Sequence, residues 1–365
     1  MEAGLYIHIP FCKKKCNYCD FYSCGGCDGV PEEYVDAVVR ELKLHKDLKY
    51  VTVYFGGGTP SLLTAKQVEK ILSAADIKDG AEITLEANPD TLTQEKLNGY
   101  FAAGVNRLSI GVQTVYDKSL AVLGRIHNAE KAGLAFDMAK QAGFVNISGD
   151  LMLGLDNYSE KEMCDTIDFL ADHGATHISA YMLKVEEGTP FYTNRPENLA
   201  TEEELADYYL AACEYLKKKG YVQYEISNFC KEGYHSRHNS IYWKLGNYLG
   251  IGPSAHSCME GKRFYYERDL ESFIKGCSPV YDGEVDADDY IMLSLRLKEG
   301  MNLETLKNVW GLKISSHTAK KLEIYNKQGF ITTENNCISL TPAGFLAENV
   351  IASDIMSGVE NIKEK

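Results

Sequence analysis

At 365 residues, 45% hydrophobic and 25% charged, the chain has the make-up of a globular protein with room for one large domain and a smaller one. Its net charge of −14 argues against nucleic acid as the main partner, since phosphate binding relies on clustered Lys and Arg. No apolar run approaches the ~20 residues that span a bilayer, and no targeting segment precedes the first strand, so the expectation is a cytoplasmic protein.

A strand is predicted at 4–9, and a Pro10-Phe11 turn leads into Cys12, Cys16 and Cys19 at C-x3-C-x2-C spacing. Three thiolates on one short loop can hold three irons of a [4Fe–4S] cluster and leave the fourth iron open to a small molecule, whereas an electron-transfer cluster takes four cysteines. A zinc site is the competing reading, because Cys16, Cys19, Cys24 and Cys27 follow C-x2-C-x4-C-x2-C spacing. Lys13-Lys14-Lys15, inside the loop, is either a solvated basic run or a source of positive charge that favours thiolate.

Further strands are predicted at 50–55, 81–87, 105–111, 145–151 and 176–183. Amphipathic helices alternate with them at Glu33–Leu48, Ala65–Ala74, Thr93–Ala102, Ala129–Gln141 and Glu160–Ala171, several with Thr or Ser start signals. The β-then-α order implies parallel strands with right-handed crossovers, and six units are too few for a closed eight-stranded barrel. A three-quarter barrel and an open doubly wound sheet both fit. In either, ligands bind at the C-terminal ends of the strands. There the chain places Gly56-Gly57-Gly58-Thr59-Pro60, Glu86, Gln113 and Asp150, with Arg125 soon after. Taken singly these have plain alternatives: a tight turn for the glycines, a helix cap for Asp150, a surface ion pair for Arg125.

From about 200 the pattern changes. A long helix, Thr201–Lys219, precedes a loop-rich stretch with His235, His238 and His256, and a helical segment of winged-helix type follows from about 286. The division expected is 1–220 for the partial barrel, 221–285 for an extension and 286–365 for a small C-terminal α+β domain. The last residues, 360–365, are expected to fray.

The run Tyr6-Ile7-His8-Ile9-Pro10-Phe11-Cys12, Cys16-x-Tyr18-Cys19, Gly56–Pro60, Glu86-Ala87-Asn88-Pro89, Arg107–Gln113 and Gly124-Arg125-x-His127 resembles the radical S-adenosylmethionine superfamily. Within it the chain is similar to the oxygen-independent coproporphyrinogen III oxidase group, from residue 4 to about 350. The resemblance implies an open partial (β/α)6 barrel, ahead of the small winged-helix-like domain read from the C-terminal pattern. It also implies a [4Fe–4S] cluster on Cys12, Cys16 and Cys19, and contacts to S-adenosylmethionine from Tyr6, Tyr18, Gly57, Gly58, Thr59, Glu86, Gln113, Arg125 and Asp150.

Two positions separate the chain from the true oxidase. Phe21 stands where the oxidase has a further cysteine, and Cys19-Asp20-Phe21 with His238-Asn239-Ser240-Ile241-Tyr242-Trp243 resembles the HemW-type subgroup of haem chaperones. That likeness implies haem binding at His238, Asn239, Tyr242 and Trp243. An imidazole can ligate haem iron, and Tyr and Trp offer flat faces. The competing reading is a satisfied polar turn with Tyr242 and Trp243 packed in the core. His256, flanked by glycine and proline, is expected to be structural. Two departures from the family pattern are Leu151–Asn157, which lacks a Pro-Gly turn, and the extra pair Cys24 and Cys27, expected to be peripheral. The implied partners are haem and recipient haem proteins such as respiratory enzymes, with peripheral membrane contact and no nucleic acid. The alternative function is a radical enzyme acting on a tetrapyrrole by decarboxylation or methyl transfer; Phe21 argues against the decarboxylation.

Overall fold

The structure, a computed structural model, describes residues 1–362. Strands β1 (Glu2–Ile9), β2 (Lys49–Gly57), β3 (Ile77–Ala87), β4 (Arg107–Gln113), β5 (Asn146–Leu153) and β6 (His177–Met182) lie side by side in chain order, all parallel. Helices α1 (Glu32–Leu44), α2 (Ala65–Leu72), α3 (Gln94–Ala102), α4 (Asp117–Leu123), α5 (Ala129–Gln141) and α6 (Glu160–Asp172) fall between them. The sheet has two free edges, so the barrel is open. Several helix starts are fixed by side chains: Thr64 and Gln67 form a reciprocal capping box, and Thr93, Asn128 and Ser159 each accept from a backbone N–H three residues on.

Each parallel strand buries both faces, and the two faces differ. One carries Leu5, Ile7, Ile9, Val53, Phe55, Leu85, Leu108, Ile110 and Leu151 into the core against the helices. The residues between them, Tyr6, His8, Thr52, Tyr54, Glu82, Glu86, Arg107, Ser109, Ser148 and Asp150, face the lumen. The lumen is therefore polar and aromatic, and its groups must bond to one another or to a ligand.

Some boundaries differ from expectation. Helix α1 stops at Leu44 rather than 48: His45 caps it, and Leu48 turns back under the core with its N–H on the His45 carbonyl. Helix α4 was not expected. It is one short stretch ended by Gly124 in the left-handed conformation (φ 78°), which aims Arg125 back at the sheet. After α7 (Pro190–Thr193) and α8 (Glu202–Lys218), the stretch read as loop-rich forms short strands. Strands β7 (Val222–Gln223) and β8 (Asn228–Cys230) extend the β6 edge, and helix α9 (Arg237–Trp243) follows. Then β9 (Tyr248–Ile251), β10 (His256–Met259), β11 (Lys262–Tyr265) and β12 (Val280–Glu284) extend the β1 edge. Strands of two to five residues show no period that a sequence can reveal. His256 is exposed on β10, its ring stacked on Tyr265 at 5.5 Å.

The C-terminal part has a three-stranded antiparallel sheet (301–302, 331–334, 337–340) among helices at 287–295, 303–308, 316–327, 342–346 and 348–356. Residues 359–361 pair with 312–314, so the fraying expected from 360 does not hold there; 363–365 lie outside the described residues. Among the described residues no helix is long and apolar enough to cross a membrane.

Leu108 sits fully buried on a central strand, whereas Leu134 is 52% exposed. Leu108→Ala should therefore lower the unfolding free energy in urea by about 3 kcal/mol, and Leu134→Ala by less than about 0.5 kcal/mol.

Candidate functional site

The C-terminal ends of β2 to β6 open into a cavity of about 390 Å³, and the loop after β1 closes one side of it. Cys12, Cys16 and Cys19 line this cavity, as do Tyr18, Gly57, Gly58, Thr59, Glu86, Gln113, Arg125 and Asp150. Tyr6 does not. It lies below in the lumen, stacked on Tyr54 with its hydroxyl bonded to His8 Nδ1 at 3.0 Å.

Backbone pairing holds the cysteine loop. The Cys12 N–H donates to the Cys24 carbonyl (2.9 Å), Cys24 N–H to Pro10 O (2.7 Å) and Cys27 N–H to Cys12 O (3.0 Å). Cys24 and Cys27 thus clasp the loop by their main chains; both thiols are free, and neither lines the cavity. Among the described residues no three His, Cys, Asp or Glu side chains already sit close enough to hold a metal ion. The zinc set is split by this arrangement, with Cys16 and Cys19 at the cavity and Cys24 and Cys27 away from it. Burial pushes the Cys19 thiol up to about 11, and the Cys12 thiol up as well; Lys15 opposes both shifts but is the smallest influence. The charge of the basic run thus works toward thiolate at both groups, but burial outweighs it.

The glycine loop comes close to the cysteines for a steric reason. A Cβ on Gly58 would lie 2.8 Å from Phe11 O and 3.0 Å from Cys12 Sγ, and Gly57 has φ 116°, a left-handed geometry that favours glycine. Thr59 Oγ1 lies 3.5 Å from Cys12 Sγ and accepts from Asn88 Nδ2 (3.1 Å), while Asn88 Oδ1 accepts from Arg125 Nη1 (2.8 Å). Asn88, a link that the motif reading did not assign, ties the glycine loop to Arg125. The turn after β5 needs no Pro-Gly, since Gly154 and Asn157 take the left-handed conformation instead, and Met152 reaches the cavity.

Glu86 is held at both oxygens: Tyr54 donates to Oε1 (2.7 Å) and the Gly57 N–H to Oε2 (3.2 Å). Burial still raises its carboxyl to about 7, against those two bonds, with nearby Asp150 adding to the rise. Burial also raises Asp150, opposed by bonds from Ser179 and Ser109 and by the charge of Arg107. Gln113 Oε1 and Arg125 Nε are buried without a hydrogen-bond partner. Unsatisfied polar atoms on a cavity wall are costly unless a ligand or water meets them, and here they border a cysteine trio.

The four haem candidates are placed elsewhere. None lines this cavity. Helix α9 seats at the opposite end of the lumen, and His238 is fully enclosed there. Its Nδ1 bonds Thr52 Oγ1 (2.7 Å) and its Nε2 bonds the Tyr242 hydroxyl (2.6 Å). An axial ligand needs a free ring nitrogen, and in this arrangement His238 has none. Trp243 packs under the Arg296 guanidinium, 4.7 Å from the ring centre, and Asn239 and Tyr242 are half-buried. Of the four, His238 alone is fully buried and bonded within the barrel, while Asn239, Tyr242 and Trp243 are half-buried around it.

Residues 6–170 match the radical SAM superfamily, and residues 282–347 match the HemN C-terminal domain. The heme chaperone HemW of Haemophilus influenzae is 33% identical, over 95% of this chain and 96% of its own length. That of Bacillus subtilis is 34% identical, over 95% and 97%, and that of Escherichia coli 38% identical over 69% of each. Among solved structures, the coproporphyrinogen III oxidase HemN of Escherichia coli superposes with a TM-score of 0.81 at 20% identity, covering 97% of this chain and 90% of that one. That likeness is one of fold.

Because Glu86 has its carboxyl raised from 4.5 to about 7 in the ligand-free fold, its stabilising contribution is complete below pH 4.5 and is lost as pH rises through 7. Relative to Glu86→Gln, the wild-type chain should therefore lose on the order of 1–3 kcal/mol of unfolding free energy between pH 4.5 and pH 7.5, the lower end reflecting water in the cavity. Parallel urea titrations of the two proteins check this.

Proposed function

Since the chain belongs to the HemW family of the radical SAM superfamily, we propose that it is a haem chaperone that carries a [4Fe–4S] cluster, binds S-adenosylmethionine and hands haem to recipient haem proteins. One observation carries the reading: the three cysteines and the proposed cofactor residues, Tyr6 apart, border one cavity. In it Arg125 offers the cation for the cofactor's carboxylate. The Gly57–Thr59 backbone approaches its amino group, and Glu86, Gln113 and Asp150 accept from the ribose hydroxyls. When bound, the cluster would supply one electron to the sulfonium. Tyr6 acts from the layer beneath, through its stacking on Tyr54.

The haem is proposed to lie across the mouth of the same cavity. Phe21 (64% exposed), Tyr181 (42%) and Met182 (39%) present apolar surface there. Lys14 and Lys15, without ion pairs among the described residues, stand beside them for the propionates. Phe21 in place of the oxidase's extra cysteine favours holding a tetrapyrrole over decarboxylating it. Recipients among respiratory enzymes, and peripheral contact with their membrane, belong to the same proposal.

Anaerobic reconstitution tests the reading. The wild-type chain should take up about four irons and four sulfides, and Cys12→Ala should lose them; zinc without sulfide would contradict the proposal. Phe21→Ser with Met182→Ser should weaken haem binding about tenfold, in keeping with ~1–3 kcal/mol of lost apolar burial, and leave S-adenosylmethionine affinity unchanged. Substrate-dependent formation of protoporphyrinogen from coproporphyrinogen III would instead establish the oxidase.

A further inference from the structure

The buried His238 is used by none of the roles above, yet it sits where two functional strands can feel it. On β2, Thr52 and Tyr54 point into the lumen from alternate positions, and on β3 so do Glu82 and Glu86. His238 bonds Thr52, and its ring stacks on that of Tyr54 with centres 5.2 Å apart and planes 24° apart. The far end of Tyr54 is the hydroxyl that donates to Glu86 on the cavity floor. Glu82 accepts from the backbone N–H groups of His238 (3.0 Å) and Arg237 (3.2 Å), so the helix is pinned to the strand that carries Glu86. The seat is shaped for it: a Cβ on Gly4 would lie 3.0 Å from Ile241 Cδ1 and 3.3 Å from His238 Cε1.

We infer that His238 is a positioning residue: it braces Tyr54, and through Tyr54 the Glu86 carboxylate that faces the cavity, instead of ligating haem. The inference rests on the reading of that cavity as the S-adenosylmethionine site. A side chain with two hydrogen bonds and a stacked neighbour is confined to one orientation, and so is the phenol that lies against it. Without the imidazole, Tyr54 can drop into the vacated volume. Glu86 then loses its donor and its fixed angle, and it meets the ribose less often in the right geometry. The tetrapyrrole is unaffected, because it approaches from the other end of the barrel.

The test is calorimetric titration of S-adenosylmethionine into cluster-loaded wild-type, His238→Ala, His238→Gln, Tyr242→Phe, Tyr54→Phe and the His238→Ala/Tyr54→Phe pair, with haem spectra and melting temperatures for each. His238→Ala and Tyr54→Phe should each weaken the cofactor about tenfold. The pair should be no weaker than the worse single variant, because both act along one chain of contacts. His238→Gln, which keeps a polar atom within reach of Tyr242, should recover most of the affinity. The haem spectrum should be the wild-type one throughout. If His238→Ala does not fold, Tyr242→Phe serves: it removes one oxygen, should weaken the cofactor several-fold, and should lower the melting temperature by only a few degrees. Cofactor affinity within twofold of wild-type in the folded variants, or a Soret band that moves in His238→Gln, overturns the inference alone. A wild-type chain that takes up no S-adenosylmethionine overturns both it and the reading of the cavity.

Discussion

The two-residue period of six parallel strands governs this molecule. A parallel sheet buried on both faces ordinarily shows runs of aliphatic residues. Here one face is aliphatic and the other is polar, and both are enclosed. Burying carboxylates, imidazoles and a guanidinium together is tolerable only when they pair or face a ligand. Arg107, 2% exposed with its Nε unpartnered, sits among them, and its charge draws Glu86 and Asp150 back toward the ionised form. The lumen is closed at one end by α9 and opens at the other into the cavity. Unpartnered atoms of Gln113 and Arg125 lie on the wall at the open end, while those of Thr84 and Arg107 lie deeper, outside the cavity lining.

The cysteine loop follows the same logic at the rim. Its main chain is secured by residues 10–12 pairing with 24–27, while Cys12, Cys16 and Cys19 face the cavity. Because burial favours the thiol at Cys12 and Cys19, a cluster held there would have to displace their protons, which would make its uptake pH-dependent. The second cysteine pair serves the loop through its backbone, which explains why it can be present without being a ligand set.

Much of this was legible in the sequence. The alternation of strands and helices located all six parallel strands, because each is long enough to show its period and four of the intervening helices, α2, α3, α5 and α6, carry side-chain N-caps. Strand-end polar residues could be assigned to one rim because β/α topology brings every C-terminal end to the same side. The strands after residue 221 escaped because two to five residues cannot display a period. The inward setting of His238 escaped for a different reason. A motif names a residue type and a spacing, but not the direction in which its helix faces, and the signals that settle this are scattered: Gly4 on β1, Thr52 on β2 and Glu82 on β3. Tyr6 shows the reverse case, since the strand alternation that puts it inside the barrel also puts it one layer below the cavity.

The central claim is that three sulfur ligands leave one iron free for the cofactor. Electron paramagnetic resonance of the reduced, reconstituted protein tests it most directly. Adding S-adenosylmethionine should change the cluster's signal, and isotope-labelled cofactor nitrogen should show hyperfine coupling to it. A signal indifferent to the cofactor, from a cluster with all four irons held by the chain, would contradict the account.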